Sequence, residues 1–232
     1  MKSWLIRLGR LNILVDTCIG QHKERPRHAA WHRRASDRLL RHLAETGLSP
    51  DDIDIVLCTH LHADHVGWNT RLDNGRWVPT FPRARYAMSR RELDDLRRAA
   101  AENAGPVNHG ALEDSILPVV ERQMALFVSP GDELAPGATV VSLAGHTPDH
   151  FGLHLKRSTC DALFCGDAIH SPLQLRFPEW TSAFCADATA AVATRIAMLD
   201  RAAGDGVELY PAHFRGTGSL RVRRADGAFR PA

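Results

Sequence analysis

Three imidazoles and a carboxylate fall within six residues in Thr59-His60-Leu61-His62-Ala63-Asp64-His65. Histidine is the commonest metal ligand and the usual proton shuttle near neutral pH. The chain holds 13 histidines against three lysines, Lys2, Lys23 and Lys156. The block follows a short β-branched run, Ile53 to Cys58. If the backbone stays extended there, side chains two apart project to one side, so His60 and His62 can share a cation. Asp64 and His65 lie one step further on, where the chain turns, and can face a second cation. A pair of cations needs more ligands, and three further candidates stand at strand ends. His146 lies in Gly145-His146-Thr147-Pro148, Asp167 follows Gly166, and His213 follows Pro211-Ala212. Each has Gly or Pro beside it to shape a turn. A carboxylate suits the bridging position because its two oxygens can each take one metal, which points to Asp167.

The elements that must position these residues can be read from periodicity and turn chemistry. Trp4 to Leu8 and Leu11 to Val15 suit a hairpin about Gly9-Arg10 that ends at Asp16. Trp31, Ala35, Leu39 and Leu43 recur every four residues ahead of Gly47, which predicts a helix with a glycine stop. Ser89 with Glu92 predicts a capped helix carrying Leu93, Leu96 and Ala100, closed by Gly105-Pro106. A shorter helical stretch is expected from Asp114 to Met124. Strands follow at Thr139 to Leu143, Phe151 to Leu155 and Ala162 to Cys165. A last helix starts at Asp187 or Thr189 and ends near Gly204, followed by a strand at Val207 to Tyr210. The residues beyond Gly216 are rich in Gly, Ser and Arg and read as a loose tail. Strands and helices in this mixed order suit an α+β arrangement of helices covering sheets better than a regular doubly wound sheet.

Composition narrows the class. The 232 residues are 44% hydrophobic and 24% charged, which suits one globular domain spanning 1–232, with 216–232 as its loose end. No apolar run is long enough for a membrane span and no secretory leader is visible, so a cytoplasmic protein without a membrane partner is expected. Basic and acidic residues number 29 and 27 and alternate, as in Arg90-Arg91-Glu92-Leu93-Asp94-Asp95. Such mixing marks a solvated helix face, and no nucleic-acid partner is expected. The five cysteines lack C-x-x-C spacing and read as free thiols; Cys165, two residues before Asp167, reads as a buried apolar residue.

The motifs HLHADH, GHTPDH, GD and PAH, in this order from Asp16 to about Phe214, resemble those of the metallo-β-lactamase fold superfamily. That resemblance implies a four-layer αββα sandwich of two mixed sheets with helices outside. It assigns His60, His62 and His146 to one metal, Asp64, His65 and His213 to the other, and Asp167 to both. Asp16 would steady the ligand loops from behind, and His150 would support or pack beside them. The cofactor is expected to be two divalent ions, zinc by default for a nitrogen-rich site without redox chemistry, with iron, manganese or cobalt also compatible. A bridging hydroxide would attack a carbonyl or phosphoryl centre, and Asp64 or a metal-bound water would return the proton to the leaving group.

Leu14 to Gly20, His65 to Asn69 and Gly75 to Pro82 look like the branch holding acyl-homoserine lactonases and methyl parathion hydrolase. The implied substrate is a small lactone, carboxylic ester or organophosphate ester. Lactonases of that branch carry a tyrosine three residues after the bridging aspartate; here the position is His170, a candidate donor to a developing oxyanion. Trp31, Trp68, Phe177, Trp180 and Phe184 are candidates for an apolar substrate cleft. A glyoxalase II-like thioesterase shares nearly all these ligands. A mononuclear iron persulfide-dioxygenase-like protein would leave Asp64, His65 and His213 without duties. Only 15 residues precede Asp16, fewer than in related chains, so the sheet is expected to lack N-terminal strands unless the natural start lies upstream. Trp4 to Leu8 would then be an edge that a second copy could cover, a possible homodimer.

Overall fold

The two apolar runs at the start pair as a hairpin, β1 (Trp4–Leu8) with β2 (Leu11–Val15), in register from Trp4↔Val15 to Leu8↔Leu11. In this computed structural model, which describes all residues except Ala104 and Thr217, the chain divides into two compact units, Met1–Phe127 and Val128–Ala232.

In the first unit the hairpin continues into β3 (Ile55–Leu57), followed along the chain by β4 (Thr70–Asp73), β5 (Arg76–Pro79), β6 (Arg85–Met88) and β7 (Ala125–Phe127). The sheet order is β1-β2-β3-β6-β7, parallel from β2 onward, with β1 at one edge. A parallel strand buried on both faces needs an unbroken apolar run, and Ile55, Val56 and Leu57 supply it. Helices α1 (Arg38–Glu45), α2 (Arg90–Glu102) and α3 (Leu117–Glu121) belong to the same unit. Its core gathers Val56, Phe81, Tyr86 and Met88 with Leu93, Ile116 and Val119. Ser89 caps α2 by accepting the Glu92 N–H at 3.1 Å. β4 and β5 form a hairpin about Asn74-Gly75, both at positive φ, as a tight hairpin turn requires.

One expectation fails in this unit. The helix predicted from Trp31 begins only at Arg38. Residues 21–36 instead fold back on themselves, with His22 N–H on Arg34 O at 2.7 Å and Arg33 N–H on Lys23 O at 2.8 Å. This path buries two basic side chains. Arg25, fully buried, makes a forked contact with Asp114 at 2.6 and 2.9 Å. Lys23 Nζ donates to Thr70 Oγ1 at 2.6 Å and to Asp114 O at 2.9 Å, and lies 3.6 Å from the Trp77 ring centroid. Asp114 belongs to a wide helical turn, Leu112–Ile116, ahead of α3.

Burial pushes the Lys23 ammonium from 10.5 down to about 7; the Asp114 charge works against the shift and Arg25 adds to it. Between those values the unfolded chain holds a proton that the folded chain has released. Stability from this group therefore rises with pH, by about 1.4 kcal/mol per pH unit. Denaturant unfolding at about pH 7.5 and about pH 9 is expected to show the parent gaining about 2 kcal/mol more than Lys23→Met over the interval. Equal slopes in the two proteins would remove the assignment.

The second unit holds β8 (Glu133–Ala135), β9 (Ala138–Ser142), β10 (Phe151–Leu155), β11 (Ala162–Gly166) and β12 (Glu208–Pro211) in the order β12-β11-β10-β9-β8. Only the β11–β12 pair is parallel. Helix α4 (Leu173–Arg176) is short. Helix α5 (Ala188–Asp205) is capped by Asp187, whose side chain accepts the Ala190 N–H at 2.9 Å, and it ends at Gly206 in the left-handed conformation rather than at Gly204. The expected loose tail is ordered: β13 (Val222–Ala225) and β14 (Ala228–Pro231) pair about Asp226-Gly227. Val222 and Phe229 join Leu163, Leu199 and Leu209 in the core, and that burial outweighs the polar composition around them. Thr217, part of the same stretch, lies outside the described residues. Among the described residues no helix is long and apolar enough to cross a membrane.

Candidate metal centre

Strand β2 ends at Asp16, whose backbone turns left-handed at φ 57° while its N–H reaches Leu57 O at 2.8 Å. This places a carboxylate, 2% exposed, under the loop that leaves β3. Asp16 Oδ1 accepts the Thr59 N–H at 2.8 Å, the Thr59 hydroxyl donates to the same carboxylate, and Oδ2 lies 2.8 Å from His65 Nδ1. A carboxylate only accepts, so His65 donates from Nδ1 and its Nε2 keeps the lone pair. The same logic passes through Thr59. Its hydroxyl proton goes to Asp16, so its oxygen, 3.1 Å from His60 Nδ1, accepts from that nitrogen and leaves His60 Nε2 as a donor to a cation. His60 Nε2 lies 3.0 Å from His62 Nδ1, and His65 Nε2 lies 3.8 Å from Asp64 Oδ2.

The backbone around this loop is tied to the segment after β2. Thr17 N–H bonds His65 O at 2.6 Å, Gly67 N–H bonds Cys18 O at 2.7 Å, and Trp68 N–H bonds Thr17 O at 3.1 Å. A Cβ on Gly67 would stand 2.0 Å from the Ile19 carbonyl, so only glycine permits the approach. Glu92, buried on α2, accepts the Leu61 N–H at 2.8 Å.

In the second unit Asp167 directly follows β11. Its N–H donates to His150 Nε2 at 3.0 Å, which makes buried His150 a support for this residue. Three imidazole nitrogens face Asp167 Oδ2: His146 Nε2 at 3.4 Å, His170 Nε2 at 3.3 Å and His213 Nε2 at 3.3 Å. His146 is carried by a loop bonded to the start of α5, through Ala186 N–H on His146 O at 2.9 Å and Asp187 N–H on Gly145 O at 3.0 Å. Gly145 adopts φ 129°, and a Cβ there would meet Ala191 N at 2.2 Å. Cys185 Sγ lies 3.7 Å from His146 Nδ1. Gln174 Oε1 accepts the N–H of His170 at 2.7 Å and of Ser171 at 3.2 Å. Arg195, fully buried, donates to Ala168 O at 3.0 Å, Pro178 O at 2.7 Å and Trp180 O at 2.8 Å, and so holds the segment that carries His170.

These separations fit a metal. Around a tetrahedral zinc with bonds of about 2.0–2.1 Å, neighbouring donor atoms stand about 3.4 Å apart. The second array shows such spacings at 3.3–3.4 Å and the first brackets them at 3.0 and 3.8 Å, from donors that are nitrogen and carboxylate oxygen. Cys165 is buried, and burial, with the Asp167 charge adding to it, pushes its thiol up to about 12, so it stays protonated.

The aromatic candidates differ in burial. Trp31 is half-buried and stacks on His28 at 4.2 Å between ring centroids, while Trp68 is buried. Phe177 stacks on Trp180 at 4.5 Å; Trp180 is 52% and Phe184 73% exposed. Supports that pattern reading did not single out are Thr59, Gln174, Cys185, Arg195 and Asn108. Glu92 was read only as part of a helix cap. Most reach their partners through tertiary folding; Gln174, four residues after His170, and Thr59, beside His60, are local.

Comparison with known proteins agrees with this layout. A family model described as the metallo-beta-lactamase superfamily matches residues 2–213. An N-acyl homoserine lactonase from Bacillus sp. is 27% identical over 118 residues, which is 50% of this chain and 38% of that protein, so the match spans well under half of the relative's length. The crystal structure of the hydrolase AbOPH in the beta lactamase superfamily superposes with a TM-score of 0.82 at 27% identity, covering 99% of this chain and 77% of that one. AidC, a dizinc quorum-quenching lactonase, has a TM-score of 0.81 over 99% of this chain and 78% of its own; at 21% identity it speaks for the fold alone. With the family model covering most of the chain, and its two mixed sheets and histidine-aspartate arrays in place, this chain belongs to the metallo-beta-lactamase superfamily.

Proposed function

We propose that the chain is a dinuclear metal-dependent hydrolase that opens a small lactone, carboxylic ester or organophosphate ester. The observation that carries this reading is the convergence of His146, His170 and His213 on one oxygen of Asp167, an arrangement that suits cation binding. His60, His62 and His146 would hold one ion, Asp64, His65 and His213 the other, and Asp167 both. When bound, a pair of divalent ions supplies Lewis acidity and a nucleophile drawn from water near neutral pH. Zinc is the proposed metal. Asp64 would take up the proton lost by the attacking water and return it to the leaving oxygen, so the alcohol forms neutral. His170, held at its N–H by Gln174, donates to the carbonyl or phosphoryl oxygen as charge builds there.

The test is a hydrolysis panel of acyl-homoserine lactones, aryl esters, paraoxon-type triesters and a glutathione thioester, with zinc content measured beside it. The parent is expected to bind about two zinc ions per chain and to turn over a lactone, an ester or a triester. Asp64→Asn is expected to lose about a hundredfold or more in kcat. His170→Tyr is expected to shift preference toward lactones. Parental turnover in Asp64→Asn would refute its role, and preference for the thioester would replace the substrate class. One iron per chain with oxygen consumption on a persulfide would overturn the hydrolase reading altogether.

A further inference from the structure

Asn108 lies outside every motif that marks the metal loop, yet its side chain brackets His62. Its Oδ1 accepts the N–H of Ala63 at 3.0 Å, and its Nδ2 donates to the carbonyl of Leu61 at 2.5 Å. The two peptide groups flanking a candidate ligand are thus held by one amide. Glu92 fixes the other side of Leu61 through its N–H at 2.8 Å. The grip requires unusual backbone: Asn108 stands at φ 46°, ψ 43° and His109 at φ 57°, ψ 20°, two successive non-glycine residues in the left-handed region. Asparagine tolerates this conformation better than most residues, but a pair in sequence is costly unless held. Buried Arg25 does the holding, donating to His109 O at 3.0 Å while its fork grips Asp114. An imidazole a few tenths of an ångström out of place binds a cation poorly, so a fixed loop backbone raises affinity.

We infer that Asn108 is a positioning residue for the metal loop: it acts through the peptides around His62 to set cation affinity and does not touch substrate. The inference rests on the hydrolase reading and deepens it. The test is zinc affinity by chelator competition and the visible spectrum of the cobalt-loaded protein, for the full-length parent, Asn108→Ala and Asn108→Gly. Glycine relieves the left-handed backbone and removes the amide, so it separates the bracket from the conformation. Both variants are expected to bind zinc about 10- to 100-fold more weakly. They should also show an altered cobalt spectrum, and at saturating metal a lower kcat with little change in KM. Parental affinity and spectrum in both variants would overturn the inference and leave the hydrolase reading intact. So would a loss confined to Asn108→Ala, because strain alone would then explain it. A parent that binds neither zinc nor cobalt would overturn the hydrolase reading and this inference together.

Discussion

Replacing Asp167 by asparagine is expected to strip the chain of most of its divalent metal and to lower ester or lactone turnover by about three orders of magnitude, which is about 4 kcal/mol of barrier. Three imidazole nitrogens face one oxygen of this carboxylate at 3.3–3.4 Å. Asparagine keeps the shape but removes the negative charge that offsets a bound cation. It also replaces one carboxylate oxygen by an N–H2, which has no lone pair to offer a metal. The backbone N–H of Asp167 on His150 is untouched by the change, so the local fold should survive. Metal analysis should fall from about two ions per chain to less than one. Chelation of the parent should reproduce the loss, and added zinc should restore the parent but not the variant. Parental metal content with parental turnover in Asp167→Asn would remove Asp167 from the centre.

The ligand candidates were legible because their chemistry is local. HLHADH packs four donors into one loop, and His146, Asp167 and His213 each follow a strand whose apolar run is plain in the sequence. Of what supports them, Asp16 and His150 were expected and the rest was not legible. Asn108 and Glu92 reach their partners across 45 and 31 residues of chain, and nothing in the spacing of an asparagine or a helix-capping glutamate announces that. The helix expected from Trp31 failed for a related reason. The fold buries Lys23 and Arg25 around Asp114 and bends the chain to do so. Two hairpin turns carried their signals in the sequence. Asn74-Gly75 and Asp226-Gly227 are the residues a tight hairpin favours, and the second turns a supposedly loose tail into a hairpin anchored by Phe229.

Asp16→Asn is expected to lower zinc affinity about 10- to 100-fold and to cost about 2–3 kcal/mol of stability. Asp16 accepts from three directions: the Thr59 N–H, the Thr59 hydroxyl and His65 Nδ1. An asparagine has one acceptor oxygen. If that oxygen stays on Thr59, the amide N–H2 points at His65 Nδ1, which must then accept, and the proton moves to Nε2, the atom meant for a cation. If the amide flips, His65 keeps its tautomer but the Thr59 hydroxyl loses its acceptor. It then donates to His60 Nδ1 instead, and the proton on His60 moves to Nε2. Either orientation disables one histidine. Thr59→Val separates the branches: it breaks only the relay to His60 and leaves the His65 contact in place, so its metal loss should be the smaller of the two. Nitrogen-15 NMR of the metal-free protein reads the tautomers directly. The parent should show both His60 and His65 protonated at Nδ1, Thr59→Val should change His60 alone, and an unchanged pair of tautomers in Asp16→Asn would show that the carboxylate does not set them.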